Sequence, residues 1–173
     1  MHTLIVLVKK IVEAYIKEEK IIKAEDNLIK EFSEKKAGVF ITIEKNKNLR
    51  GCIGTYLPTK NNIIEEIIQN AISAATEDYR FDPIQEDELP FLSYTVSILE
   101  KPELIKNRKE LNPKEYGIII KTLNYPPKSA LLLPDLEGID TIEKQISITC
   151  QKGNIDQLKE EIIIYKFRIK KYE

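Results

Sequence analysis

An arginine, a cysteine and two glycines fall within five residues in Arg50-Gly51-Cys52-Ile53-Gly54. In an extended strand alternate side chains share a face, so Arg50 and Cys52 are expected to point one way and Leu49 and Ile53 the other. A guanidinium beside a thiol favours the thiolate. Flanking glycines let a backbone or a ligand come close. The chemistry this pattern points to is an activated thiol or an anion-binding corner, with Cys52 as the catalytic candidate and Arg50, Gly51 and Gly54 as binding candidates. The competing reading makes Cys52 a small core residue and gives Arg50 a carboxylate to hold, because free cysteine is most often buried.

A second set follows in Glu77-Asp78-Tyr79-Arg80-Phe81-Asp82-Pro83. Here Asp78 and Arg80 are candidate polar anchors, and Phe81 or Tyr79 a stacking platform. The competing reading is a helix end tied by an Asp–Arg pair. Lys166, Arg168 and Lys170 form a basic stripe that suits phosphate or a solvated outer face. The acidic group Glu86-Asp87-Glu88 reads as solvated.

The residues that are scarce restrict the chemistry further. The one histidine, His2, lies at a terminus expected to be mobile, so no Ser-His-Asp or Cys-His arrangement is available. Cys52 and Cys150 are far apart and show no CxxC or CxxH spacing, so no metal site and no cofactor is expected. With 27 basic and 28 acidic residues the formal net charge is −1, which does not favour nucleic acid. The apolar run at the start is too short to span a membrane and is followed by Lys9 and Lys10. The chain therefore reads as soluble and cytoplasmic.

The elements that must position these residues follow from periodicity. Leu4, Leu7, Val8, Ile11, Val12, Tyr15 and Ile16 have helical spacing, and residues 25–35 form a weaker helix. Residues 38–44 and 49–53 are strands joined by the polar turn Lys45-Asn46-Lys47-Asn48. A helix over 63–78 buries Ile64, Ile67, Ile68, Ala71, Ile72 and Ala75. Asn62 and Glu65 cap it, and its first amides are expected to lend positive potential to the Cys52 region. Strands follow at 91–100, 116–123 and 129–133, then a helix at 141–151 ending near Gly153. A last strand at 162–172 places Ile163, Tyr165, Phe167 and Ile169 on one face. More strands than helices, not alternating with them, favour an α+β fold with a largely antiparallel sheet.

The length, 173 residues, suits one domain or two lobes sharing a core. Abundant charges of both signs with few thermolabile residues match thermophile usage, and an AT-rich genome produces the same Ile and Lys bias.

Taken in order, Gly38-Val39-Phe40-Ile41-Thr42, Leu49-Arg50-Gly51-Cys52-Ile53-Gly54, Ala74-Ala75, Asp78-Tyr79-Arg80-Phe81, Val96-Ser97-Ile98-Leu99, Gly117-Ile118-Ile119-Ile120, Leu132-Leu133-Pro134 and Cys150-Gln151-Lys152-Gly153 resemble the AMMECR family over nearly the whole chain. The hexapeptide LRGCIG is that family's signature. The chain departs from the family pattern at Tyr79, where proline is common, at Ser129-Ala130 and at the shortened Lys152-Gly153. The resemblance implies a single AMMECR-like domain over residues 1–173, α+β, of two unequal lobes with the signature near a cleft between them. It implies a cytosolic microbial protein like protein A of the AmmeMemoRadiSam system, working in a pathway with MEMO-type and radical-SAM proteins. Its role would be that of an enzyme or substrate-handling subunit, or alternatively an RNA- or protein-binding module in which LRGCIG is structural.

Overall fold

The computed structural model describes residues 2–32 and 34–173, and these divide into two compact units. The first runs to Ile98 and takes in Lys170–Glu173; the second is Leu99–Ile169. The elements form an α+β fold with two four-stranded sheets whose resolved pairings are antiparallel.

In the first unit, α1 (Thr3–Glu18) buries Leu4, Leu7, Val8, Ile11 and Val12, the residues that recur at helical spacing. His2 is better placed than its terminal position suggests. Its ring nitrogen accepts the Leu4 N–H at 3.2 Å, and its ring lies 4.3 Å from that of Tyr172. The helix stops at Glu19, which takes a left-handed conformation and returns its N–H to the last turn. The short α2 (Asp26–Phe32) buries Phe32.

Strands β1 (Val39–Lys45) and β2 (Asn48–Gly54) form the expected hairpin. Asn46 and Lys47 both have positive φ, as a two-residue turn matched to strand twist requires. One face of β1 is core: Val39, Ile41 and Ile43 are fully buried. The helix α3 (Ile63–Thr76) packs on that core through Ile64, Ile67, Ala71, Ala74 and Ala75. Asn62 caps it as expected, accepting the Glu65 N–H at 3.0 Å. A 3-10 turn (Glu86–Phe91) leads into β3 (Leu92–Leu99), which pairs with β1. The sheet is completed by β8 (Ile169–Tyr172), giving the order β2-β1-β3-β8 with β2 at an edge.

The second unit holds β4 (Glu103–Leu104), β5 (Gly117–Thr122), β6 (Ser129–Leu132) and β7 (Ile162–Phe167) in the order β4-β7-β5-β6. Its helix α4 (Ile142–Lys152) contributes Ile146 and Cys150 to a core with Ile118, Ile120, Leu132 and Ile164. The expected single strand over 162–172 is a correction. It breaks at Arg168 into β7 and β8, which belong to different sheets. The buried residues of β7 are Ile164 and Phe167 rather than an unbroken odd-numbered face. Among the described residues no helix is long and apolar enough to cross a membrane.

Candidate functional site

The signature strand departs from simple alternation at its arginine. Ile43 pairs with Gly51, but the next residue of β1, Glu44, pairs with Leu49. Arg50 is thus the extra residue of a β-bulge, and a bulge re-aims the side chain it carries. Its guanidinium turns to Glu88, with Nε donating to Oε2 at 2.9 Å and Nη2 to Oε1 at 2.8 Å, while Nη1 donates to the Asp82 carbonyl at 2.9 Å. Both side chains are nearly buried, at 15% and 11% exposure. Lys45 Nζ also donates to Glu88, at 2.9 Å, and so does the Gln85 backbone N–H, at 3.0 Å. Hydrogen bonding from Arg50, working against burial, holds the Glu88 carboxyl at about 2.

Glu88 is therefore no solvated member of an acidic run. It is the carboxylate that Arg50 holds, and it is buried beside Ile84 and Leu89.

Cys52 is positioned by a different set of groups. It pairs with Thr42 of β1, and its N–H and C=O both turn outward from the hairpin. Outward-turned amides mark a non-hydrogen-bonded pair, in which facing side chains sit close. The Cys52 Sγ accordingly lies 3.4 Å from Thr42 Oγ1. The thiol is half-buried.

The outward groups are met by side chains that follow α3. Asp78 Oδ2 accepts the Cys52 N–H at 2.8 Å, and Arg80 Nη2 reaches the Cys52 carbonyl at 3.4 Å. Arg80 also grips Asp78, Nε to Oδ1 at 2.9 Å and Nη2 to Oδ2 at 2.7 Å. Asp78 is buried, and Arg80 above all keeps its carboxyl at about 2 in spite of burial. The Phe81 ring has the Arg80 guanidinium 5.5 Å and the Arg50 guanidinium 5.9 Å from its centre. Arg50, Cys52, Asp78, Arg80 and Phe81 thus come together, although Arg50 bonds to Glu88 and not to the thiol.

The two glycines admit the protein itself. A Cβ at Gly51 would lie 2.2 Å from the Ala74 carbonyl oxygen of α3, and one at Gly54 would lie 2.3 Å from the Phe40 ring. Gly51 is what lets the last turns of α3 rest on the strand.

This reverses the expected helix electrostatics. The carbonyl end of α3, not its amide end, adjoins Cys52. The amide end is capped by Asn62, and the loop before it is held by Glu66, a residue the sequence did not single out. Buried Glu66 accepts from Thr55 Oγ1 at 2.6 Å, from Thr59 N and Oγ1 at 2.8 Å and from Lys60 N at 2.9 Å. Burial raises its pKa, yet these hydrogen bonds outweigh that and leave it lowered. Asn70, one turn on, donates to the Val39 carbonyl at 2.9 Å. Together they fix the loop that leaves the signature strand.

The basic stripe is also engaged. Lys166 pairs with Glu110 at 3.4 Å and lies 5.0 Å over the Tyr116 ring. Arg168 pairs with Glu115 and donates to the Tyr116 hydroxyl at 2.6 Å. Among the described residues no cluster of three His, Cys, Asp or Glu is placed to hold a metal ion.

A family model described as AMMECR1 matches residues 5–172. A protein of Thermotoga maritima is 41% identical over 165 residues, covering 95% of this chain and 93% of its own length. A Clostridium acetobutylicum protein is 42% identical over 148 residues, which are 86% of this chain but 31% of that longer protein. The crystal structure of an uncharacterized Pyrococcus horikoshii protein, PH0010, superposes with a TM-score of 0.86 at 30% identity, covering 97% of this chain and 88% of that one.

Proposed function

The chain belongs to the AMMECR1 family, and on that premise we propose that it is a recognition subunit in which LRGCIG is a structural lock and the neighbouring Tyr79 is the docking residue. The observation that carries this reading is the contrast around Tyr79. Asp78 before it is buried and Arg80 after it is clamped to Asp78, while Tyr79 itself is 94% exposed. A large side chain presented to solvent by a pinned backbone loses little freedom on binding. Tyrosine is also enriched among residues that dominate interfaces. The charged groups of the corner have internal partners: Arg50 and Lys45 hold Glu88, and Arg80 holds Asp78. This leaves the corner better suited to presenting a surface than to activating a thiol or gripping an anion.

The resemblance supplies the partner class, a MEMO-type or radical-SAM protein of the same cell, for which the chain would handle or present a substrate. Surface capture of the purified MEMO-type and radical-SAM proteins by this chain tests it. Tyr79→Ala is expected to weaken capture at least tenfold with an unchanged melting temperature, and Cys52→Ser to shift melting without weakening capture. Equal capture by wild type and Tyr79→Ala, or none by either, overturns the reading.

A second reading rests on the half-buried Cys52 thiol beside Thr42. If Cys52→Ala abolishes cellular function in a protein that melts normally, and the native thiol titrates rapidly with a disulfide reagent, Cys52 is a catalytic residue and the chain an enzyme or enzyme subunit. RNA is the less favoured partner, since Lys166 and Arg168 of the basic stripe are paired. Binding of tRNA that falls steeply with salt would restore it.

A further inference from the structure

We infer that the second unit carries a separate binding site, where β4 ends against the start of β7, for the C-terminal residue of a partner polypeptide: an apolar side chain beside a free carboxylate. The site begins where a strand ladder breaks off. β4 pairs Glu103 with Lys166 and Leu104 with Tyr165, and the Ile105 N–H continues to the Ile164 carbonyl at 3.1 Å. In that register the next hydrogen-bonded pair would be Asn107 with Ile162. Instead the Lys106 and Asn107 N–H groups turn away to Glu110 Oε1, each at 2.9 Å. The Ile162 backbone faces the gap this leaves. Ile164, two residues on, faces β4, while Glu161, one residue before, gives its carbonyl to Leu123 on the β5 side. An open rung of this kind is where the end of another chain can add by main-chain hydrogen bonds.

A cavity of about 190 Å³ lies at this break. Pockets for whole small molecules span roughly 300–1,000 Å³, so this one suits a single residue. Ile105, Ile162 and Ile163 give it an apolar lining, continued by Leu104, which is 57% exposed. Its charged lining is of one sign: Lys106 and Arg108 belong to it, and no acidic residue does. Both cations are exposed, and among the described residues neither is in an ion pair. The acids close by in the chain do not offset them. Glu110 is taken by the two amides and by Lys166, and Glu160 by Lys128. Glu103 and Glu161 lie outside the lining. Two cations beside isoleucines select an anion joined to a short hydrocarbon, and the arginine fork matches a carboxylate. The rung at Ile162 adds a demand for a peptide group, which the last residue of a chain supplies and a free acid lacks. The site lies in the second unit and does not rest on the role proposed for Tyr79.

The probes are N-acetyl-Ala-Ala-Leu with a free C-terminus, the same peptide amidated, and 4-methylpentanoate, each titrated into the isotope-labelled full chain and followed by NMR. Saturable binding of the free-acid peptide is expected, with slowed hydrogen exchange at the Ile162 amide. The amidated peptide and 4-methylpentanoate are each expected to bind at least tenfold more weakly. Reversing both charges, Lys106→Glu with Arg108→Glu, is expected to reduce the acid to the level of the amide at an unchanged melting temperature. Both side chains are at the surface, so the variant keeps its fold. Absence of saturable binding of the acid at millimolar concentration overturns the proposal. So does equal binding of acid and amide, or an affinity that the charge reversal leaves unaltered. Binding that leaves exchange at Ile162 unchanged, or that 4-methylpentanoate matches, overturns the assignment to a polypeptide end.

Discussion

Two Arg–Glu pairs, one in each unit, have the same chemistry and different surroundings. Arg50 and Glu88 are 15% and 11% exposed, and the carboxylate accepts from Lys45 and a backbone amide as well. Arg168 and Glu115 are 50% and 45% exposed. In the first pair both ions have left water, so losing one partner strands the other. In the second, water and salt compete for each ion and the pair adds little. A charged residue near a sequence motif is therefore no guide to its work until its burial is known. The signature arginine holds the fold, and the arginine of the basic stripe decorates it.

The largest effect that could break this contrast is at Arg50. Arg50→Ala should lower the unfolding free energy by about 3 kcal/mol, the usual cost of orphaning one partner of a buried pair, read from the midpoint of urea denaturation. A loss no greater than that of Arg168→Ala would erase the distinction.

Acid gives the next largest. The Glu88 carboxyl is lowered from 4.5 to about 2 and Asp78 from 3.8 to about 2. Between those values the unfolded chain binds protons that the folded chain does not. Their contribution is complete above pH 4.5 and is lost as pH falls towards 2. Stability measured in urea at several pH values should fall more gently in Glu88→Gln than in the wild type. Parallel curves would refute the assignment.

Arg168→Ala should move the denaturation midpoint several-fold less than Arg50→Ala. The smallest effect is that of salt. In double-mutant cycles, raising ionic strength to molar levels should shrink the Arg168–Glu115 coupling and leave that of Arg50–Glu88 nearly unchanged, because screening acts on exposed charges. Equal salt sensitivity would place both pairs in the same solvent environment.

Local features were the readable part of this sequence. The periodicity of α1, the Asn46-Lys47 turn, the Asn62 cap and the strand carrying Cys52 all depend on residues close together in the chain. The family was readable as well, since ordered motifs do not require three-dimensional knowledge. The bulge at Arg50 was not readable, because it is a mismatch of register with β1 and nothing in β2 alone demands it. Glu88 was misread because its neighbours Glu86 and Asp87 are exposed, and one face of a short 3-10 turn is invisible in composition. That Arg80 and Cys52 share one corner was not readable, because the direction in which α3 crosses its sheet decides whether the end of the helix returns to the strand. The contact of Ala74 with Gly51 settles that direction. The basic stripe looked continuous because Arg168, where the chain changes sheets, carries the same charge as its neighbours.

The hydrogen bonds of Asp78 and Arg80 to the Cys52 backbone have a further consequence. β2 ends its sheet, and an open strand border can template the addition of another chain's strand. Here a carboxylate takes the place of the next strand's carbonyl and a guanidinium the place of its amide, so the middle of that border is already satisfied. The pair acts as a stopper against polymerisation. Asp78→Ala should be expected to cost the protein its solubility on heating as well as its fold.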